Sequence, residues 1–234
     1  MVGLTLTDAA KQARKGTAGG QDVDTKLLAG RATAEEAIVS TTVAGLSLLP
    51  SNPDLAGAAV ELPREAGSET RLRDALAPVR DRYAYTFLDC PPALGPLTIN
   101  ALVAADRVLV PVQTEYFALE GLAGLLDTLA LVQKELNPRL TVAGMLLTMN
   151  DARTNLGRDV EREVREHFPS LVFDTVIPRN IRLSEAPSYG EAIVAYAPGS
   201  TGALAYAALA RELLAGDGRA ATAGTEHLDP AGAG

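Results

Sequence analysis

The stretch YTFLDCPPALGPLTINAL, residues 85–102, decides how the chain is read. A short apolar run, Tyr85 to Leu88, stops on Asp89; Pro91 and Pro92 follow almost at once, and a helix-like segment begins after them. A run of this length bounded by turn residues reads as a buried strand. Asp89 then stands just past its carboxyl end.

The segments on either side repeat the pattern. RVLVPVQ (107–113) and TVAGMLLT (141–148) are near-continuous apolar runs, and LSLLPS (46–51) and LVFDTVI (171–177) are shorter ones. Between them lie helical periods. TAEEAI (33–38) opens on Thr33 with Glu36 three residues on, a capping box. ETRLRDALAPVRDRY (69–83) spaces Leu72, Leu76 and Val79 on one face, with Pro78 placed to bend or end the helix. ALEGLAGLLDTLALVQKEL (118–136) carries a leucine stripe closed by Asn137-Pro138, and NLGRDVEREVREHF (155–168) and TGALAYAALARELLAG (201–216) complete the series, the last ending at Gly216. Apolar strands alternating with helices predict an α/β fold: a mostly parallel sheet with helices on both faces. Ligands in such sheets bind beyond the carboxyl ends of the strands, where Asp89 is. The expected organisation is an atypical polar N-terminal segment over 1–26, an α/β domain over 27–216 and a disordered tail over 217–234.

Composition narrows the class. At 234 residues and 47% hydrophobic, the chain supports one sizeable core. With 4% aromatics and no Trp, that core is aliphatic. One cysteine excludes a disulfide framework and a Cys-rich metal site. A net charge of −8 argues against binding nucleic acid by bulk charge and leaves only a local basic patch. No uncharged apolar run reaches membrane-spanning length, so a cytoplasmic protein is expected.

An apolar strand ending in Asp has the form of a Walker B motif, in which the carboxylate helps to hold Mg²⁺ beside nucleotide phosphates. Many strands end in Asp merely to start a turn, so the triplet alone is a weak signal. The wider sequence carries more. FLDCPPALGPLTINALVAADRVLVPVQTEYFALEGLAGLL (87–126), LLTMNDARTNLG (146–157) and TVIPRNIRLSEAPSYG (175–190) resemble the ParA/Soj chromosome-partitioning ATPases, of the MinD/ParA deviant-Walker P-loop class. ATAEEAIVSTTVAGLSLLPSNPDLAGAAVEL (32–62) resembles the segment preceding Walker B in the same family. The likeness covers roughly residues 27–215.

That resemblance implies an ATP-dependent homodimer, bound non-specifically to DNA and associated with the nucleoid, that segregates a chromosome or plasmid with a ParB-type partner. It implies ATP and Mg²⁺ as cofactors and no membrane. Residue by residue, it makes Asp89 the Walker B acid, near Mg²⁺ and acting through water. Pro91 and Pro92 shape the loop after it. Thr148, Met149 and Asn150 lie where the family meets the adenine, and Pro178, Arg179 and Asn180 form a second base-contacting loop. Arg153, Arg179 and Arg182 are the candidates for a DNA-facing surface.

The sequence departs from the family at its start. The family opens with a strand and a KGGxGKT-type loop whose N–H groups, lysines and Thr cradle phosphate and Mg²⁺. The nearest string here, KGTAGGQ (15–21), has no Gly-Lys-Ser/Thr. The acid that positions the attacking water is absent too, since no apolar strand leads into GGQDVD (19–24). The expectation is therefore a P-loop NTPase-like sheet missing its N-terminal P-loop strand, as a truncated or frameshifted reading frame would leave it, with little or no hydrolysis. The alternative is a non-catalytic ParA-like interaction or regulatory protein.

Three further groups have bland readings. Cys90 is a small packed residue. Arg158, Arg162 and Arg165 share a helix face with interleaved Glu161, Glu163 and Glu166, which reads as a solvated, ion-paired face. His167 and His227 have no partners that suggest catalysis or metal binding. A MinD-like membrane cycler and a nitrogenase iron protein relative are discounted: the tail shows no basic amphipathic helix, and one cysteine cannot supply cluster ligands.

Overall fold

The computed structural model describes residues 2–5, 27–51, 55, 67–115 and 118–220. The chain forms two compact units, Met1–Asp106 with Leu131–Leu140, and Arg107–Ala130 with Thr141–Gly234.

The first unit is built on a four-stranded sheet. Its strands are β1 (Val2–Thr5), β2 (Val39–Ser40), β3 (Ser47–Leu49) and β4 (Thr86–Asp89), in the order β2-β3-β1-β4. The strand β1 runs parallel to β3 on one side and to β4 on the other, with Val2 opposite Ser47 and Thr86, and Thr5 opposite Asp89. This corrects the expectation that the segment before residue 27 supplies no strand. Val-Gly-Leu-Thr is too short to show a period by itself, and it is the open edges of β3 and β4 that select it. The hairpin between β2 and β3 is antiparallel. It closes through the Thr41 hydroxyl on the Leu46 carbonyl at 2.8 Å, with Gly45 left-handed at φ 76°.

Helix α1 (Ala34–Ala37) carries the expected capping box. The Thr33 hydroxyl accepts from the Glu36 N–H at 3.3 Å, and the Glu36 carboxylate accepts from the Thr33 N–H at 2.9 Å. Helix α2 (Arg71–Leu76) gives way to a 3-10 turn, Ala77–Arg82, with Pro78 in its first turn. Proline cannot donate back to the preceding turn, so the α-helix ends where the sequence placed the break. Leu72 and Val79 are buried with Leu49, Leu97 and Ala101 in one aliphatic core.

Two asparagines tie this unit together. In α3 (Pro96–Ala104), Asn100 is buried and accepts from the Leu72 N–H at 3.1 Å, satisfying a donor that the first turn of α2 cannot. Asn137 follows helix α4 (Ala118–Glu135). Its amide nitrogen reaches the carbonyls of Leu102, Val103 and Ala105 at 3.0, 3.2 and 2.8 Å. These are the carbonyls left open at the carboxyl end of α3.

The second unit holds β5 (Arg107–Gln113) and β6 (Thr141–Thr148), paired parallel from Arg107 opposite Thr141 to Gln113 opposite Thr148. The register shifts between Val108 and Leu109, beside Gly144. A Cβ at Gly144 would lie 2.6 Å from the Phe173 ring, so only glycine lets that ring pack here. The segment expected as a strand over 171–177 runs beside β6 without forming one. Its hydrogen bonds begin with Met145 N–H to the Leu171 carbonyl (2.6 Å) and Phe173 N–H to the Met145 carbonyl (3.0 Å), and resume with Ile177 N–H to the Leu147 carbonyl (2.9 Å). In between, Asp174 and Thr175 turn their N–H groups to the Glu212 carboxylate at 2.6 and 3.0 Å. That carboxylate interrupts the ladder and leaves isolated bridges at Met145–Val172 and Asn150–Pro178.

Helices α5 (Asn155–His167), α6 (Ile181–Tyr189), α7 (Ile193–Tyr196) and α8 (Thr201–Ala220) complete the unit. Helix α8 continues past Gly216, the expected stop, so the domain boundary drawn there falls inside a helix. Glycine weakens a helix but ends it only in the left-handed conformation, and Asp217 pairs closely with Arg107. Most of the supposed tail, 221–234, lies outside the described residues.

Replacing Asn137 by Ala removes the two N–H donors that three helix-end carbonyls share and is expected to cost roughly 2 kcal/mol. A urea unfolding midpoint measures it; an unchanged midpoint would show that water satisfies those carbonyls equally well.

Candidate functional site

The sequence-predicted residues divide between the units. Asp89, Pro91 and Pro92 belong to the first; Thr148, Met149, Asn150, Arg153, Pro178, Arg179, Asn180 and Arg182 belong to the second.

In the first unit Asp89 is the last residue of β4 and is exposed. Its register partner is Thr5, at the carboxyl end of β1. The residues that follow β1, where the family's phosphate loop would stand, lie outside the described residues. Beyond Asp89 the loop is shaped locally. The Thr98 hydroxyl donates to the Ala93 carbonyl at 2.7 Å, and the Gly95 N–H reaches the same carbonyl at 2.9 Å. Pro96 then sits in the first turn of α3, where a missing N–H costs nothing. Pro91 is half-buried and Pro92 exposed within this loop. Burial, and then the charge of Asp89, push the Cys90 thiol up to about 11, and its sulfur lies 3.6 Å from the Leu88 carbonyl. A thiol so protonated is a packing group and not a nucleophile.

The second unit brings together the two loops named for the base. Asn150 and Pro178 bridge, with the Asn150 N–H on the Ile177 carbonyl at 3.1 Å and the Arg179 N–H on the Asn150 carbonyl at 2.9 Å. Met149 is held at φ 54°, uncommon for a residue with a side chain, and is 39% exposed. The Asn150 amide nitrogen donates to Glu161 at 3.1 Å, while its buried Oδ1 has no hydrogen-bond partner among the described residues. The buried Thr114 hydroxyl is in the same position, and the Thr114 N–H binds the Thr148 carbonyl at 3.2 Å. Two unanswered polar atoms thus stand where β5 and β6 end. Native proteins rarely leave such atoms open without a ligand or water to meet them. Thr114 was not foreseen from sequence; its one signal is a polar residue directly after an apolar strand.

Asn180 has a structural duty. Its side chain caps α6 by accepting from the Arg182 N–H at 2.8 Å, and it donates to the Thr201 hydroxyl at 2.6 Å. The candidate DNA-facing arginines are unequal. Arg153 grips Asp151 with two nitrogens, at 2.9 and 2.8 Å. Arg182 pairs with Glu185 at 2.8 Å, and Glu185 also accepts from the Tyr196 hydroxyl at 3.1 Å. Arg179 is exposed and makes no ion pair among the described residues. The arginines of α5 are tied to their own helix: Arg162 to Asp159 at 2.8 Å, and Arg165 to Glu161 at 3.1 Å. Arg162 fits the solvated, paired face read from the sequence, whereas Arg165 and Glu161 are half-buried and also bond beyond the helix, to the Phe173 carbonyl at 3.2 Å and the Asn150 amide at 3.1 Å.

Hydrogen bonds from Arg153 hold the Asp151 carboxyl at about 2, below the ordinary aspartate value of 3.8. A carboxyl whose folded value is depressed contributes stability above 3.8 and loses it as pH falls through about 2. In Arg153→Ala the Asp151 titration, followed by carboxyl NMR, is expected to move up toward 3.8. No movement would mean that the Arg153 contact is not made in solution.

A family described as an AAA domain matches residues 6–142. The sporulation initiation inhibitor protein Soj of Bacillus subtilis (strain 168) is 54% identical over 178 residues, which is 76% of this chain and 70% of that protein. The chromosome-partitioning ATPase Soj of Thermus thermophilus is 57% identical over 174 residues, 74% of this chain and 68% of that one. The chromosome partitioning protein ParA of Caulobacter vibrioides is 47% identical over 190 residues, 80% and 71% of the two chains. Among solved structures, cobyrinic acid a,c-diamide synthase from Mycobacterium smegmatis, with bound ATP analog and magnesium, superposes with a TM-score of 0.70 at 35% identity. It covers 91% of this chain and 81% of that one. The fold is P-loop NTPase-like, and the chain belongs to the Soj/ParA family of chromosome-partitioning ATPases.

Proposed function

We propose that this protein is a partitioning protein of the ParA type, an ATP-dependent, DNA-associated homodimer that moves a chromosome or plasmid together with a ParB-type partner. The observation that carries the reading is Asp89, a carboxylate that ends a strand paired in parallel to β1, the strand between β3 and β4. It is the position at which this family meets Mg²⁺.

The donor set fits such a ligand. Among the described residues no cluster of three or more His, Cys, Asp or Glu side chains exists to hold a metal. Mg²⁺ is suited to that, since it keeps several waters and takes phosphate oxygens with one or two carboxylates. Bound MgATP would supply the phosphoryl group and most of the ligands for the metal. Asp89 would orient a metal-bound water. Within the second unit, Thr148, Met149, Asn150, Pro178, Arg179 and Asn180 are the residues that the family resemblance gives to a base, and the open Asn150 Oδ1 and Thr114 hydroxyl are the atoms there available to recognise one. Pro91 and Pro92 would fix the loop that carries the carboxylate.

Hydrolysis needs more than this. Phosphoryl transfer is accelerated by positioning and charge stabilisation, and the 234 residues contain no Gly-Lys-Ser/Thr to provide them. This chain by itself is proposed to bind nucleotide without turning it over. Of the arginines assigned to DNA, Arg179 is the strongest candidate, because Arg153 and Arg182 already answer Asp151 and Glu185. No described helix is long and apolar enough to cross a membrane, which accords with a cytoplasmic, nucleoid-associated protein.

The second reading, a non-catalytic relative that keeps the partner surface, is favoured by the same missing Gly-Lys-Ser/Thr. Thermal melts with and without MgATP separate the two, since a ligand of the native state raises the midpoint. A midpoint that rises in the parent and not in Asp89→Ala supports the nucleotide-dependent reading. A midpoint indifferent to MgATP supports the interaction protein. Phosphate release is expected at the same background rate in both proteins; turnover abolished by Asp89→Ala would overturn the deficiency.

A further inference from the structure

The first unit contains a polar cavity away from Asp89. It is about 140 Å³ in volume and is lined by Arg73, Arg80, Asp106, Asn137 and Arg139. It lies at the carboxyl end of α3, whereas Asp89 precedes the start of that helix. Nine helical residues span about 13 Å, so the two places are set apart by the length of α3.

The charges of the cavity do not balance. Its lining residues include three arginines and one aspartate. Arg80 is engaged closely by Asp106. Arg73 is engaged by its neighbour Asp74 at 3.0 Å, where both side chains are exposed and the pair is screened by water. Arg139 is exposed and has no ion-pair partner among the described residues. A helix carboxyl end ordinarily offers open carbonyls and repels an anion. Here Asn137 covers the carbonyls of Leu102, Val103 and Ala105. What the cavity presents is positive charge with the usual acceptors already occupied.

We propose that this cavity is a binding site for a phosphate group, free or carried by a small molecule. The volume suits a phosphate group, being smaller than the pockets of about 300 to 1,000 Å³ that enclose drug-sized ligands. The donor geometry selects the anion. Guanidinium groups are planar forks that pair with carboxylate or phosphate oxygens. A planar carboxylate is matched by one fork, whereas a tetrahedral phosphate offers oxygens to forks arriving from several sides. Arg73 and Arg80 come from the segment leading into β4, and Arg139 comes from the turn after α4.

Two substitutions with opposite expected effects test this. In calorimetric titrations of the full chain with inorganic phosphate at constant ionic strength, the parent is expected to bind saturably. Arg139→Gln should weaken that binding about tenfold, the scale of one charge-assisted hydrogen bond. Asp106→Asn should tighten it several-fold by removing the one opposing charge. Nonspecific effects of phosphate on stability, or phosphate bound near Asp89, would leave the three proteins alike, and that result overturns the proposal, as does the absence of saturable binding. Should Asp106→Asn fail to fold, the exposed Arg139→Gln decides alone. A short DNA duplex that displaces phosphate from the parent, and is itself weakened by Arg139→Gln, would assign the cavity to a nucleic-acid backbone and overturn the small-ligand form.

Discussion

The sheet of the first unit depends on the backbone hydrogen bonds of one four-residue strand. Val2–Thr5 lies between β3 and β4 and is parallel to both. Each of its neighbours would otherwise present a row of unpaired N–H and C=O groups in the middle of a sheet. The pairing also sets the register that puts Thr5 and Asp89 side by side at the same end. The Asp89 carboxylate therefore owes its place in the sheet to residues of the β1 strand.

Side chains finish what the ladder begins, and asparagine does much of this. Asn100 answers the first turn of α2, Asn137 answers the last turn of α3, and Asn180 opens α6. All three act at helix termini, where backbone groups have no partner in their own helix. Asn150 differs. Its nitrogen is satisfied by Glu161 while its buried oxygen is open. Of these four asparagines, Asn150 is the one that leaves a buried oxygen open. Completed polar contacts build the fold, and incomplete ones mark where a ligand belongs.

Much of this was legible in the sequence where the signal is local. The Thr33–Glu36 box, the break at Pro78 and the apolar runs of β5 and β6 all depend on neighbours within a few residues, and each was found. The failures share a cause of the opposite kind. The strand β1 is chosen by partners more than forty residues away. The interruption at Asp174 and Thr175 is imposed by Glu212. The persistence of α8 past Gly216 accompanies the contact between Asp217 and Arg107. For the candidate site, the family resemblance named Asp89, which ends a strand, and Asn150 and Pro178, which bridge. It missed Thr114, and it could not show that Arg153 and Arg182 are held by their own neighbours while Arg179 is not. Pairing depends on rotamers and on the packing of loops, which composition does not record.

The account stands or falls on the middle strand. Amide hydrogen exchange of the full chain, resolved at Gly3, Leu4 and Thr5 and compared with Phe87 and Leu88, tests it directly. A strand paired on both sides should be protected to a similar degree as β4, its partner in the same ladder. Exchange at Gly3–Thr5 near the rate of an unstructured chain, with β4 still protected, would contradict the central strand and with it the register that places Asp89.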